Sequence, residues 1–180
     1  MYEGLKQQLN PHFLFNSLTS LSSLIDVEPK TAGKFLDSLS KTYRYILKSR
    51  DNETVPLADE LTSADNYIKI QQTRFEKGFS VSIRVPEESL HRKIVPVTLQ
   101  NMIENAIKHN IMDEDSPLVV EVFVQDNYVF VRNNLQKKKY VETSNKQGLV
   151  NLQSLYRYLT SQPVEITTDD NFFTVKIPLV

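Results

Sequence analysis

The sequence predicts an α+β fold in which a helical hairpin precedes an α/β two-layer sandwich. Apolar residues recur every three to four positions from Leu5 to Arg50, which is the period of an amphipathic helix. After Gly78 the period changes to two, and short strand-like runs then alternate with helical segments. Strands mixed with helices, several of them paired in hairpins, are typical of an α+β sandwich.

The first 50 residues are predicted to form two helices separated at residues 26–29, where Pro29 suits a first helical turn. Each helix carries one apolar stripe, formed by Leu14, Leu18, Leu21 and Ile25 on the first and by Ala32, Phe35, Leu36, Leu39, Tyr43, Ile46 and Leu47 on the second. Two helices alone would leave much of Phe35, Tyr43 and Ile46 in water. We therefore expect a homodimer, in which two hairpins form a four-helix bundle.

The second module follows a boundary that divides the chain into residues 1–52 and 53–180. Residues 55–57 are predicted to be a linker, and the helix after them carries Leu61, Ala64, Tyr67, Ile68 and Gln71 towards the second module. The elements expected next are a strand at 79–85, a helix at about 96–109, a hairpin of strands 119–124 and 128–131, a helix at 148–160, and a hairpin of strands 164–168 and 172–177. The polar residues 135–147 are predicted to form a loop whose length indicates either a function or disorder.

Composition excludes several classes of protein and of site. The 180 residues are 40% hydrophobic and 24% charged, which suits one ordinary domain or two small ones. No apolar run approaches the roughly 18 residues that span a bilayer, and the first residues lack a signal-peptide pattern. A net charge of −1, with both signs interspersed, gives no footprint for nucleic acid. The absence of cysteine excludes thiolate sites, and four isolated glycines exclude the P-loop and the dinucleotide fingerprint.

His12 is the first candidate functional residue. On a helix it lies opposite the centre of the apolar stripe, so its imidazole is predicted to face solvent. Asn10 and Pro11 either cap and start this helix or kink a longer one that begins near Leu5. The amide of Asn16, one turn later, is placed to hold one ring nitrogen and leave the other nucleophilic. The alternative is a surface histidine beside a proline.

A second candidate is the polar face of the helix predicted around residues 99–110. Its apolar side consists of Leu99, Met102, Ile103 and Ala106, and its polar side of Asn101, Glu104, Asn105 and Lys108. Asparagine oxygens can ligate Mg²⁺, and a lysine can contact a phosphate as a point charge. The alternative is a solvated helix face with an ion pair between Glu104 and Lys108.

The segments around both candidates resemble known motifs. The first resembles the phosphoacceptor signature of the LytS-type sensor histidine kinases and reads Leu9-Asn10-Pro11-His12-Phe13-Leu14-Phe15-Asn16-Ser17-Leu18. Residues 39–45, 55–61 and 67–75 resemble the same family in the same order. The second segment resembles the N box of the GHKL-type ATP-binding fold, shared by histidine kinases, gyrase and the Hsp90 chaperone, and reads Glu104-Asn105-Ala106-Ile107-Lys108-His109-Asn110.

This resemblance covers nearly the whole chain and implies a two-component sensor histidine kinase. His12 would accept the γ-phosphoryl group of ATP and pass it to an aspartate of a response-regulator receiver domain. The resemblance further implies that Asn105 binds Mg²⁺, that Lys108 or His109 contacts the phosphates, and that Asn101 lines the ATP site. His91 lies in a polar connection and is predicted to be a surface residue.

The sequence departs from the family pattern at three places. Phe13 stands where the common kinase pattern has an acidic residue, so Asn16 is our candidate for orienting His12. Asn133 replaces the aspartate of the adenine-binding Asp-x-Gly-x-Gly segment, and its carbonyl can accept from the adenine amino group without a charge. The second glycine motif is reduced to Gly148 at a helix start, where free N–H groups can meet a phosphate. Nearby lysines either add positive charge or are merely solvated, namely Lys137, Lys138, Lys139 and Lys146.

Two functions follow from these observations. The first is a homodimeric protein-histidine kinase that uses ATP and Mg²⁺. The second is a degenerate kinase that acts as a dimeric response-regulator-binding module with weak or no ATP binding. In both cases we expect the chain to be the cytoplasmic transmitter portion of a longer inner-membrane receptor, with membrane contact only through a sensor segment outside this chain.

Overall fold

The computed structural model describes residues 10–136 and 147–180 of the chain. Its five helices are α1 (Pro11–Val27), α2 (Pro29–Ser49), α3 (Leu57–Phe75), α4 (Thr98–His109) and α5 (Gln147–Leu159). Its seven strands are β1 (Val55–Pro56), β2 (Phe79–Arg84), β3 (Lys93–Ile94), β4 (Leu118–Gln125), β5 (Tyr128–Asn134), β6 (Glu165–Thr168) and β7 (Phe172–Pro178). The predicted loop lysines 137–139 and 146 lie outside the described residues.

Helix α1 begins at Pro11 and is capped by Asn10. The side chain of Asn10 accepts a hydrogen bond of 3.2 Å from the backbone N–H of Phe13, and Pro11 occupies the first helical position. Of the two alternatives for this segment, the structure therefore has Asn10 as the N-cap. Pro29 occupies the first helical position of α2, as predicted, but Glu28 before it forms no side-chain cap hydrogen bond.

The hairpin buries more of its second stripe than two helices alone can bury. Phe35 and Ile46 are each 3% exposed, and Tyr43 is half-buried. The additional burial comes from a third helix within the same chain, because α2 packs against both α1 and α3. Apolar side chains on the outer side of the hairpin remain exposed, namely Phe15, Leu18, Ile25, Leu36 and Leu47.

Five strands form the main sheet in the order β2-β4-β5-β7-β6. The β2–β4 pair is parallel and the other three pairs are antiparallel. Helix α4 packs on β4 and β5, and α3 packs on β2. Asp126 and Asn127 adopt positive φ angles of 48° and 67° in the tight turn between β4 and β5, which confirms the predicted hairpin.

The prediction that residues 55–57 form a linker is wrong, because these residues belong to a strand and to the start of a helix. Val55 and Pro56 form strand β1, which pairs antiparallel with β3. Helix α3 begins at Leu57 without a gap. This two-stranded ribbon ties the start of α3 to the segment that leads into α4.

One cluster of buried side chains runs from the hairpin into the sandwich. It includes Phe13 of α1, Tyr67 of α3, Ile103 of α4, Val131 of β5 and Tyr156 of α5. The helical hairpin therefore shares its core with the sheet domain. The division at residues 52 and 53 stays a prediction. None of the described helices combines the length and apolar character needed to cross a membrane.

Candidate functional site

His12 is the second residue of α1, and its side chain is exposed as predicted. The amide nitrogen of Asn16 lies 3.2 Å from Nδ1 and 3.1 Å from Nε2 of its ring. A donor nearly equidistant from both ring nitrogens cannot lie along the lone-pair direction of either one. The structure thus brings the two predicted residues together, but the contact involves both nitrogens instead of one.

Helix α4 has the predicted division into an apolar and a polar face. Leu99, Met102, Ile103 and Ala106 are buried against the sheet layer. The predicted site residues lie on the remaining surface, where Asn101 and Lys108 are exposed and Asn105 and His109 are half-buried.

The start of α1 is bound to α4 through a side-chain hydrogen bond. The amide of Asn10 donates to the carboxylate of Glu104, which directly precedes Asn105 on the polar face of α4. Burial raises the pKa of Glu104, while the bond from Asn10 and the charge of Lys108 oppose this rise. His12 therefore lies two residues from a direct contact with the helix that carries the candidate ATP-binding residues.

An aromatic contact reinforces this attachment. The ring of Phe13 packs against Tyr67, with centroids 5.0 Å apart, and against Tyr43, with centroids 6.1 Å apart. Burial, followed by the charge of Glu104, raises the pKa of Tyr43 to about 12. The same two causes lead the rise in the pKa of Tyr67. Both phenols therefore stay neutral at physiological pH, and Phe13 is fixed one residue from His12.

The N-terminal end of α4 is held by side chains from other helices. Val97, which precedes the helix, adopts a left-handed conformation with φ 65°. Glu60 of α3 accepts hydrogen bonds from the backbone N–H groups of Val97 and Leu99, at 2.9 and 2.8 Å. The hydroxyl of Tyr45 donates to the same carboxylate at 2.5 Å. Three helices thus meet at Glu60, which is 1% exposed.

The C-terminal end of α4 is held by Asn110. This side chain is buried, donates to the carbonyl of Ala106 at 2.8 Å and accepts from the backbone N–H of Gln136 at 2.8 Å. The backbone N–H of Ile111 donates to the carbonyl of Gln136, also at 2.8 Å. These bonds fix the end of α4 beside Gln136.

Asn133 and Gly148 occupy different elements. Asn133 lies on β5 two residues after Val131 and four after Val129. The three side chains are buried and point to the same, helix-covered side of the sheet. The amide of Asn133 donates to the carbonyl of Asn134 at 2.7 Å. Gly148 is the exposed second residue of α5, at the helix start where the sequence placed it. His91 is exposed, as predicted.

The sequence reasoning missed Glu60, Tyr45 and Asn110. The sequence did contain an indication that Glu60 is buried. Residues 57, 60, 64, 67 and 71 share one face of α3, and Glu60 is the charged residue among these five. A carboxylate on such a face indicates a buried charge that needs partners. The bond between Asn110 and Gln136 joins residues far apart in sequence, and no local pattern predicts it.

Comparisons with known proteins agree with the resemblance. Residues 1–79 match the family model described as histidine kinase. Sensor protein LytS of Staphylococcus haemolyticus is 32% identical over 120 residues, which cover 67% of this chain and 20% of that protein. Sensor histidine kinase BtsS of Escherichia coli is 39% identical over 105 residues, covering 58% of this chain and 18% of that protein.

A third relative, sensor protein kinase HptS of Staphylococcus aureus, is 35% identical over 132 residues, which cover 72% of this chain and 25% of that protein. The chain therefore spans a quarter or less of the length of these three curated relatives.

Among solved structures, the cytoplasmic segment of histidine kinase QseC has a similar fold. Its TM-score is 0.51 at 20% identity, and the match covers 71% of this chain and 76% of that chain. The predicted fold class, a helical hairpin followed by an α/β sandwich, is confirmed.

Proposed function

Because the chain belongs to the LytS-type family of sensor histidine kinases, we propose that it transfers the γ-phosphoryl group of ATP to His12. The phosphoryl group then passes to an aspartate of a response-regulator receiver domain. The observation that carries this proposal is the contact of Asn10 with Glu104. It holds the helix of His12 against the helix that bears the candidate ATP-binding residues.

The exposed imidazole of His12 suits the first transfer. One ring nitrogen forms a bond to the γ-phosphorus with its lone pair, while the bond from that phosphorus to the bridging oxygen breaks and ADP leaves with the electron pair. Such a transfer depends mainly on positioning and on charge neutralisation. The amide of Asn16, which lies close to both ring nitrogens, is the group proposed to orient the ring. Lys108 or His109 on α4, and the helix start at Gly148, are the groups proposed to contact the phosphates.

Asn105 is the proposed ligand for Mg²⁺, and its amide oxygen has the hard character that this ion prefers. In residues 10–136 and 147–180 no group of three or more histidine, aspartate or glutamate side chains is arranged to hold a metal ion. A single protein oxygen fits an ion whose other ligands are phosphates and water. Bound Mg²⁺ would neutralise charge on the phosphates. Asn101 would line the same site, and Asn133 would accept from the adenine amino group.

We further propose that residues 1–52 and 53–180 act as a dimerisation and phosphoacceptor unit and as an ATP-binding unit. The exposed apolar side chains of α1 and α2, among them Phe15 at 68% and Leu47 at 59%, support pairing of two hairpins in a homodimer. The much greater length of the relatives supports a place on the cytoplasmic side of a longer membrane receptor.

The test is incubation of the chain with Mg²⁺ and γ-labelled ATP, followed by measurement of acid-labile label on the protein. We expect labelling of the wild-type chain and of His91→Gln, and none of His12→Gln. A folded dimer that takes up no label at millimolar nucleotide contradicts the kinase proposal and favours the response-regulator-binding module. Titration with ATP then shows whether the loss lies in nucleotide binding or in transfer.

A further inference from the structure

The start of α4 lacks a cap from its own segment. Val97 precedes the helix in a left-handed conformation, and neither it nor its neighbours provide a capping side chain. The first N–H groups of a helix need acceptors. The N–H groups of Val97 and Leu99 each donate to one carboxylate oxygen of Glu60, which belongs to helix α3. These two hydrogen bonds to Glu60 therefore fix the start of α4 relative to α3.

Glu60 is held without a cation. Among the described residues no lysine or arginine forms an ion pair with it, and its hydrogen-bond donors are two backbone amides and the hydroxyl of Tyr45. The titratable groups that face it from neighbouring helices are the phenols of Tyr45 and Tyr156, with Asp59 beside it. A buried carboxylate of this kind costs solvation free energy, so it is weak evidence for stability. Its structural effect is to fix α4.

Tyr45 connects this arrangement to the hairpin that carries His12. Its hydroxyl donates to Oε2 of Glu60, the same oxygen that accepts from Val97. Movement of α2 relative to α3 would change the hydrogen bonding of that oxygen and hence the anchor of α4. Tyr156 of α5 holds the segment just before α4, because its hydroxyl accepts a hydrogen bond of 3.2 Å from the backbone N–H of Val95.

We propose that Glu60 is a positioning residue for the ATP-binding helix α4, and that Tyr45 couples this position to the phosphoacceptor hairpin. The inference rests on the proposed function for the role of α4. It assigns to Glu60 no contact with nucleotide. It predicts that loss of the Glu60 carboxylate both weakens ATP binding and slows transfer to His12, whereas loss of the Tyr45 hydroxyl slows transfer alone.

The first experiment compares Glu60→Gln with the matched control Glu88→Gln, whose side chain is exposed. A glutamine has one acceptor oxygen, so at least one of the two amides loses its partner. We expect hydrogen exchange at Val97 or Leu99 to accelerate by about tenfold or more, and the Kd for ATP with Mg²⁺ to rise by about tenfold. Unchanged exchange at both amides overturns the proposal, and so does altered exchange with unchanged ATP affinity.

The second experiment compares Tyr45→Phe with Tyr158→Phe, a control whose ring is 80% exposed. For Tyr45→Phe we expect the Kd for ATP to stay within about twofold, while the rate of His12 labelling at saturating ATP falls by about fivefold or more. In the Glu60→Gln background the same change should have little further effect. Independent, additive losses or an unchanged rate would refute the coupling.

The outcomes separate this inference from the proposed function. A wild-type chain that neither binds ATP nor labels His12 contradicts the proposed function, whatever the variants do. Hydrogen exchange at Val97 and Leu99 needs no nucleotide and still decides whether Glu60 fixes the start of α4. Conversely, normal wild-type labelling with unaffected variants leaves the kinase proposal intact and removes the positioning role.

Discussion

Phe13 and Tyr67 pack ring against ring, with centroids 5.0 Å apart and planes inclined by 47°. One ring follows His12 directly on α1, and the other is a fully buried residue of α3. This contact lies in the core shared by the hairpin and the sandwich. The placement of His12 therefore depends on packing between the two predicted domains.

Phe13→Ala should lower the free energy of unfolding by about 3–5 kcal/mol, because it removes a ring that is 4% exposed and leaves a cavity between two tyrosines. The measurement is urea unfolding followed by circular dichroism. Val27→Ala is the control on the same helix, since Val27 is 78% exposed and its truncation should change stability by about 0.5 kcal/mol or less. A loss below about 1 kcal/mol for Phe13→Ala would show that the ring is not part of the core.

Polar replacement on the outer side of the hairpin should weaken self-association without unfolding the chain. Leu18 and Leu47 are 47% and 59% exposed, so the double variant Leu18→Ser, Leu47→Ser removes apolar surface that only a partner can cover. We expect the dimer Kd from sedimentation equilibrium to rise by about tenfold or more. Val150→Ser, on α5 and 48% exposed, should leave it unchanged. An unaltered dimer in the double variant would place the interface elsewhere.

Local patterns predicted most elements, because period and turn chemistry act over a few residues. The change of period at Gly78 and the turn at Asp126 and Asn127 located β2 and the β4–β5 hairpin. The burial of Phe35 and Ile46 was missed because it depends on the packing of α3 against α2. A strand of two residues such as β1 has no period to detect, and only its distant partner β3 defines it.

For the site, sequence spacing placed His12 in solvent and set Asn16 one turn away, and both placements are found in the structure. It gave no indication that Asn10 binds Glu104, since 94 residues separate them. Phe13, three residues after Asn10, likewise packs against Tyr43 and Tyr67, which are distant in sequence. The roles of the candidate ATP-binding residues stay predictions.

Asn16→Ala should slow the labelling of His12 by about tenfold if Asn16 orients the ring, because the variant removes the amide that lies 3.1–3.2 Å from both ring nitrogens. The rate is measured at saturating ATP, so that nucleotide binding does not contribute. Ser23→Ala is the control, because Ser23 is exposed on the same helix and bonds only to the carbonyl of Thr19 among the described residues. Equal rates in wild type and Asn16→Ala would exclude an orienting role.

The stability of the chain should depend on the protonation of Glu60. Burial raises the pKa of this carboxyl group from its usual 4.5 to about 6 in the folded state. Its contribution to stability is therefore complete below pH 4.5 and is lost as the pH rises through about 6. Between pH 5 and pH 7 we expect a loss of about 1 kcal/mol.

Urea unfolding at both pH values isolates this contribution when wild type is compared with Glu60→Gln, which cannot ionise at this position. Glu88→Gln should keep the pH dependence of the wild type, because the exposed side chain of Glu88 remains in water. The same pH dependence in wild type and Glu60→Gln would mean that Glu60 does not titrate as its burial requires.

Asn133→Asp should tighten the binding of ATP if the proposed adenine contact exists. A carboxylate accepts from the adenine amino group through a charge-assisted hydrogen bond, which is about twice as strong as a neutral one. We expect the Kd for ATP to fall by about fivefold, a gain of about 1 kcal/mol. Inosine triphosphate lacks the amino group, so its Kd should not fall. Equal gains for both nucleotides would indicate a general change in the site, and no gain for ATP would show that position 133 on β5 does not meet the base.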